Sequence, residues 1–146
     1  MNITSAPTSA GILRRLGALL YDWLLIIALW FLQTTLLLPL TQGEALPEDG
    51  WAHWAYVAML YGTALGFFLF FWRRSGQTLG MRAWRLRLMD ASGQTPTTGK
   101  LLRRALWAIP SWWLLGLGVF MLYVDPQRRA LQDRMSATYL VVEKLK

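Results

Sequence analysis

Three long apolar runs set the terms on which this chain can fold: residues 16–40, 51–72 and 105–124. The first holds one charged side chain, Asp22, and the other two hold none. A helix rises about 1.5 Å per residue, so a hydrocarbon core of about 30 Å takes about 20 residues to cross. The first two runs exceed that length, and the third just reaches it. Backbone groups find no water in lipid, so each run is expected to be helical. None shows the amphipathic stripe of a soluble core helix. Trp51, Trp54 and Trp72 flank the second run, as an aromatic belt at the two interfaces would. The first run is too long for the apolar part of a cleaved signal peptide, and no A-x-A-like site follows it. Without cysteine the chain has no disulfide and no thiolate metal site.

The net charge of +7 is arranged along the chain, not scattered. Arg14 and Arg15 precede the first run. The connection over residues 41–50 has no Lys or Arg but carries Glu44, Glu48 and Asp49. The connection over residues 73–104 carries Arg73, Arg74, Arg82, Arg85, Arg87, Lys100, Arg103 and Arg104 against Asp90 alone. The positive-inside rule therefore places the N-terminus and the long basic loop in the cytoplasm and the acidic loop outside. The tail over residues 125–146, with Arg128, Arg129, Arg134, Lys144 and Lys146, also belongs inside by charge. Three full spans would carry it outside. Either residues 105–124 cross the membrane, or residues 101–124 enter and leave on the cytoplasmic side as a hairpin. Pro110 and Ser111 would mark the hairpin's turn, and Gly116 and Gly118 would allow close backbones.

Residues 81–89 alternate, with Trp84, Leu86 and Leu88 on one side and Ala83, Arg85 and Arg87 on the other. That is strand periodicity, and the Asp90-Ala91-Ser92-Gly93 stretch after it reads as a turn. Thr138-Tyr139-Leu140-Val141-Val142 is rich in β-formers as well. The two strands are each other's obvious partners, but only if both lie on one side of the membrane. The competing reading is an interfacial amphipathic segment with Arg85 and Arg87 on lipid phosphates. No internal repeat is visible, and the small polar residues 1–10 are expected to fray. The expected fold is an all-α membrane protein in one domain. It is a helical bundle of three hydrophobic segments: two clear spans, plus a third span or a re-entrant hairpin. A small cytoplasmic β element completes it.

Asp22 is the most informative side chain. It lies about 9 Å inside the first run at helical rise, where an ionised carboxylate costs a few kcal/mol unless paired, protonated or hydrated. It must face protein or water. It is either a proton or cation site or a structural partner of a basic group that fixes helix docking. Arg15 lies seven residues earlier on the same helix face. Direct contact across two turns is a stretch. Arg15 is expected instead to snorkel to the cytoplasmic interface and meet another acid there, with Asp133 the candidate. Gly62 and Gly66 form a GxxxG pattern suited to helix packing within the chain or in a homo-oligomer. Gln33, Thr34 and Thr35 either line a wet cavity or bond to helix carbonyls. Arg73, Arg74, Arg85, Arg87, Arg103 and Arg104 are the expected contacts to anionic lipid headgroups, a simpler partner here than nucleic acid. No catalytic, cofactor or metal motif stands out. The only histidine, His53, sits at the outer interface, and residues 76–80 lack the Lys-Ser/Thr of a phosphate loop.

Three ordered motifs carry a resemblance. Arg15 is followed by six mostly apolar residues and then Asp22. Gly76-Gln77-Thr78-Leu79-Gly80 precedes a basic strand and an Asp-x-x-Gly turn. Leu131-Gln132-Asp133-Arg134 leads to Thr138. In these motifs the chain resembles the bacterial RDD family over almost its whole length. It departs in one place: Met81 stands where the family often has Lys, with Arg82 next. The resemblance implies a multi-pass protein of the cell inner membrane with Arg15, Asp22 and Asp133 as signature residues. It implies ion or solute movement as one role and leaves open whether those residues are functional or structural. Two function classes follow. One is cation- or proton-linked transport by an oligomer, using Asp22. The other is a non-transporting scaffold or anionic-lipid-binding protein, favoured by the absence of a second intramembrane ionisable group. No enzymatic role is expected.

Overall fold

A computed structural model of the chain describes residues 9–44, 50–113, 117–127 and 129–143. Residues 1–8, Glu48, Asp49, Gly116, Arg128, Lys144 and Lys146, all invoked above, lie outside the described residues. The elements run α1 (Ile12–Leu37), α2 (Trp51–Ser75), α3 (Leu79–Ala83), β1 (Leu86–Asp90), α4 (Thr98–Trp113), α5 (Leu117–Val124), α6 (Leu131–Met135) and β2 (Thr138–Val142). The fold is mostly helical.

The first two apolar runs form the two helices long and apolar enough to cross a membrane. Helix α1 begins before the apolar run, taking in Arg14 and Arg15, and stops two residues short of Pro39, a residue that disfavours helix in its predecessor. Helix α2 runs past Trp72 through Arg73 and Arg74, whose charges suit a helix C-terminus. Gly76 caps it in the left-handed conformation at φ 69°, which glycine adopts without steric cost. Along most of their length the two helices bury little. Only Ala18, Asp22 and Ile26 of α1 and Trp72 of α2 are buried. Large apolar side chains such as Leu20, Phe31, Trp51, Tyr61 and Phe70 stay exposed on them. An all-round apolar surface of this extent has its natural solvent in hydrocarbon. Where α1 and α2 meet, polar groups cross between them. Trp30 Nε1 donates to the Leu60 carbonyl at 2.8 Å, Gln33 Nε2 to Thr63 Oγ1 at 2.7 Å, and the Thr34 hydroxyl bonds Tyr56 OH at 2.7 Å. Thr34 and Thr35 also donate to carbonyls one turn back. Thr34 and Thr35 thus meet the plainer of their two expected uses, bonding to helix carbonyls, whereas Gln33 bonds a side chain of α2.

The packed core lies at one end of the helix pair, where α1 begins and α2 ends. Ala10, Ala18, Trp72, Met81, Leu86, Leu88, Leu101 and Leu140 form it. Strands β1 and β2 pair antiparallel, Leu86 opposite Val142 and Asp90 opposite Thr138. The expected alternation holds within β1, where Leu86 and Leu88 face the core. Ser9 bridges Val141, and the Ala10 N–H bonds the Leu140 carbonyl at 2.9 Å. These two residues are therefore tied to β2 and not frayed as expected, and Ala10 is part of the core. Two strands alone are marginal in water; this pair rests on α1, α3 and α6. Asp90 closes the turn after β1, accepting from Ser92 N and Oγ and from Gln94 N.

The third apolar run, open between one span and a hairpin, is divided between α4 and α5, which contact each other, and Pro110 lies inside α4. One expectation needs correction: the fold contains a repeat that the residues conceal. Helix α3, the pair Trp84-Arg85 and strand β1 match helix α6, the pair Ser136-Ala137 and strand β2 position for position. In each unit a five-residue helix is followed by a five-residue strand. The residue before each strand is left-handed, Arg85 at φ 55° and Ala137 at φ 52°.

Candidate functional site

Each unit of this repeat engages α1 through one signature position. Asp22 is 2% exposed and faces α3. Thr78 Oγ1 donates to its Oδ2 at 2.5 Å, and the Gly80 N–H donates to Oδ1 at 2.8 Å. Thr78 is also the N-cap of α3, its hydroxyl accepting from Met81 N at 3.1 Å. Asp22 thus sits where the free N–H groups of a helix start need an acceptor. Glycine is required for this approach. A Cβ on Gly80 would stand 2.1 Å from the Ala18 carbonyl oxygen and 2.9 Å from the Asp22 carboxyl. Gly17, one turn earlier on α1, receives the Trp84 indole, and a Cβ there would stand 2.3 Å from the ring.

Asp133 makes the second engagement. It lies in the first turn of α6, fully buried. Arg15 Nη1 of α1 donates to its Oδ2 at 2.5 Å. Arg104 Nη1 of α4 donates to its Oδ1, and the Ala130 N–H donates to Oδ2 at 3.1 Å. Arg104 also donates to Thr138 Oγ1 at 2.9 Å and lies over the Trp72 ring at 5.3 Å. The Thr138 hydroxyl in turn bonds Ser136 Oγ at 2.8 Å. One carboxylate therefore joins α1, α4 and α6, with β2 and α2 held through Arg104. Burial alone would push the Asp133 carboxyl up; the Arg104 and Arg15 guanidinium groups outweigh it and hold it below the ordinary carboxylate range. The two arginine side chains are 8% and 7% exposed. Two cations against one anion leave the buried cluster with an excess positive charge. Arg15 Nη2 and Arg104 Nε have no hydrogen-bond partner among the described residues.

The RDD family's model matches residues 9–137. The chain belongs to the RDD family. The resemblance read from its motifs is thereby shown, and RDD proteins are membrane proteins. No curated protein and no solved structure matches the chain. In this RDD protein the three signature residues serve two separate contacts. Arg15 and Asp133 meet each other, as the snorkelling argument expects. Asp22 meets neither of them, and neither of its partners is a cation.

The other expected site residues divide. Arg73, Arg74, Arg85 and Arg103 are exposed. Arg103 also donates to the Met135 carbonyl at 2.9 Å, and Arg87 pairs with Glu143 at 3.2 Å. Arg104 is not a headgroup contact. It points into the core because neighbouring helix residues differ by about 100° in direction, so Arg103 faces out while Arg104 faces Asp133. A Cβ on Gly62 or Gly66 would meet nothing within 4 Å, so among the described residues the GxxxG pattern packs no helix. Sequence reasoning missed Thr78 as the partner of Asp22, Arg104 as a partner of Asp133, and Thr138 as a partner of Arg104. A signal existed for Thr78, a helix-capping residue type between two glycines. Thr138 is marked as the end of the third motif, without its partner; no signal exists for Arg104, whose role depends on contacts distant in sequence.

Proposed function

We propose that this RDD protein is a non-transporting scaffold of the cell inner membrane that binds anionic lipid at its cytoplasmic end. The observation that carries this reading is the bonding of Asp22. The one carboxylate within the apolar runs has both oxygens occupied by the α3 turn and serves to dock that turn on α1. The same end of the molecule presents Arg14, Arg73, Arg74, Arg82, Arg85 and Arg134 as exposed cations, a charge pattern suited to anionic headgroups. In this reading α1 and α2 span the bilayer. The core and sheet lie in the cytoplasm with the N-terminus, and α4 and α5 form a hairpin that enters and leaves on that side. The open Gly62–Gly66 face is available to a second copy. No enzymatic reaction belongs to this proposal.

Native mass spectrometry of the purified protein tests it. Titration with phosphatidylglycerol and phosphatidylcholine should show preference for the anionic lipid, weakening as salt rises. Equal retention of both lipids at all salt concentrations would overturn the reading. One observation favours transport instead: Asp22 has no cation beside it among the described residues, as a protonatable carrier site would require. Flux of protons or monovalent cations in proteoliposomes that vanished in Asp22→Asn, with the variant folded, would establish that alternative.

A further inference from the structure

The repeat does not stop at the short helix and strand. In each half a helix pair comes first, α1 with α2 and α4 with α5, and the members of each pair touch. The first member then packs on the short helix of its own half, α1 on α3 and α4 on α6. Leu88 and Leu140 hold equivalent places in β1 and β2 and stand opposite each other in the sheet, so a local two-fold axis passes between the halves. The register extends into the long helices. Laying Arg14-Arg15 of α1 on Arg103-Arg104 of α4 lays Asp22 on Ser111. The contacts agree. The Gly80 N–H donates to Asp22, and Ser111 Oγ donates at 2.7 Å to Gln132, the residue of α6 equivalent to Gly80. Arg15 and Arg104 donate to the two oxygens of the same Asp133.

The repeat also matches cations on the surface. In each helix one arginine of the pair turns to the core, Arg15 and Arg104, and its neighbour turns out, Arg14 and Arg103. Arg82 of α3 and Arg134 of α6 hold equivalent places, and both are exposed. We infer that Arg14 with Arg82, and Arg103 with Arg134, form two equivalent seats, each for the phosphate of one anionic phospholipid. The inference rests on the lipid-binding reading above and adds the place and the number of the lipids.

The helix contacts bring each pair to one end of the fold. In the second half Arg103 Nη2 donates to the carbonyl of Met135, the residue after Arg134, so its guanidinium lies against the last turn of α6. In the first half Ala83 is the equivalent of Met135. There α3 is held on α1 by the Trp84 ring against Gly17, one turn on from Arg14. The acids nearby are taken: Asp22 by α3, Asp133 by the buried arginines, Asp90 by Lys100 and Glu143 by Arg87. Two guanidinium groups offer a phosphate paired charge-assisted bonds.

The neighbours select a phosphate that carries acyl chains. Leu13 and Leu102 precede the outward arginines, Leu20 and Ile109 follow them at equivalent places, and all four are exposed. A cation at the start of an exposed apolar helix face fits a headgroup with its chains alongside. Arg73 and Arg74 are exposed as well, but they lie in the last turn of α2, and the last turn of α5 holds no basic residue. They stand outside the repeated pattern and serve as the control.

Native mass spectrometry with phosphatidylglycerol counts the lipids. The parent should retain one lipid per seat, two in all. Arg14→Gln combined with Arg82→Gln should weaken one of them by about thirtyfold, and Arg103→Gln combined with Arg134→Gln should weaken the other equally. All four changes together should leave neither, whereas Arg73→Gln with Arg74→Gln should keep both. Arg82 and Arg134 make no side-chain bond among the described residues. Each single change there should therefore weaken one lipid by about fivefold at an unchanged melting temperature, which separates lost binding from lost folding. Equal weakening on removing Arg73 and Arg74, or retention of lipids with no step at two, would overturn the seats and leave the basic surface as a diffuse lipid contact. Absence of any preference for phosphatidylglycerol over phosphatidylcholine in the parent overturns both readings. Displacement of the lipids by millimolar inorganic phosphate at fixed ionic strength would overturn the assignment to a lipid.

Discussion

Replacing Asp133 with asparagine should destabilise this protein more than replacing either of its arginines. Asp133 is fully buried, and its partners are 8% and 7% exposed, so no solvent stands ready to take over. Asparagine keeps the volume and an acceptor but removes the anion, leaving two buried guanidinium groups facing each other. Removing one partner from a buried ion pair costs about 3–5 kcal/mol. For a domain of this size that corresponds to roughly 6–20 °C in melting temperature. Arg15→Met behaves differently, because Arg104 still balances Asp133 one to one. Its cost should be about 1–3 kcal/mol, the value of hydrogen bonds to a charged group. The double variant should cost less than the sum of the singles, by about 1–2 kcal/mol, because the second change relieves the repulsion left by the first. Thermal unfolding in lipid nanodiscs at neutral pH reads all three. Equal costs for the two single variants, or a cost below about 1 kcal/mol for Asp133→Asn, would refute the buried cluster.

The same carboxyl gives the fold a pH signature. Its folded pKa lies below the unfolded value of about 3.9. Its contribution is therefore fully present above that value and lost as pH falls through the folded pKa. Melting temperature should be level from pH 7 to about 5 and fall below about 4, and Asp133→Asn should fall less steeply. Gly80→Ala should cost about 1–3 kcal/mol, since a Cβ at 2.1 Å from a backbone carbonyl forces α1 and α3 apart. Gly17→Ala should cost less, because the half-exposed Trp84 ring can swing away; equal costs would mean that α1 and α3 are not in contact. Asp22→Leu should cost about 2–5 kcal/mol by stranding the Thr78 hydroxyl and the Gly80 N–H, and Asp22→Asn clearly less. Indistinguishable stability in denaturant titrations of the two would place Asp22 outside the α3 contact.

Much of the frame can be read from residue order. The two apolar helices follow from run length, and the strand pairing follows from the alternation over residues 86–89 and the β-formers near the C-terminus. The meeting of Arg15 with Asp133 follows from the physics of a long cation at an interface. Other features leave no trace in hydropathy. Helices α4 and α5 divide a continuous apolar run, and Pro110 stands within α4. The partners of Asp22 come from a loop more than fifty residues away, where nothing but a threonine between glycines marks the spot. Arg103 and Arg104 look alike in sequence because the facing of adjacent helix residues is decided by what packs on them. The repeated helix–strand unit is hidden for a related reason. Its two copies face different neighbours, so Met81 fills a core position where Asp133 holds a charge cluster.

Cysteine labelling tests the central claim most directly: Asp133 can reach Arg15 only if the chain after α5 lies on the same side as the start of α1. The parent has no cysteine, and Glu44, Ser92 and Gln127 are exposed positions in the acidic loop, the turn after β1 and the segment after α5. An impermeant maleimide should label Glu44→Cys in intact cells, and Ser92→Cys and Gln127→Cys only in inverted vesicles. Labelling of Gln127→Cys together with Glu44→Cys would contradict the account.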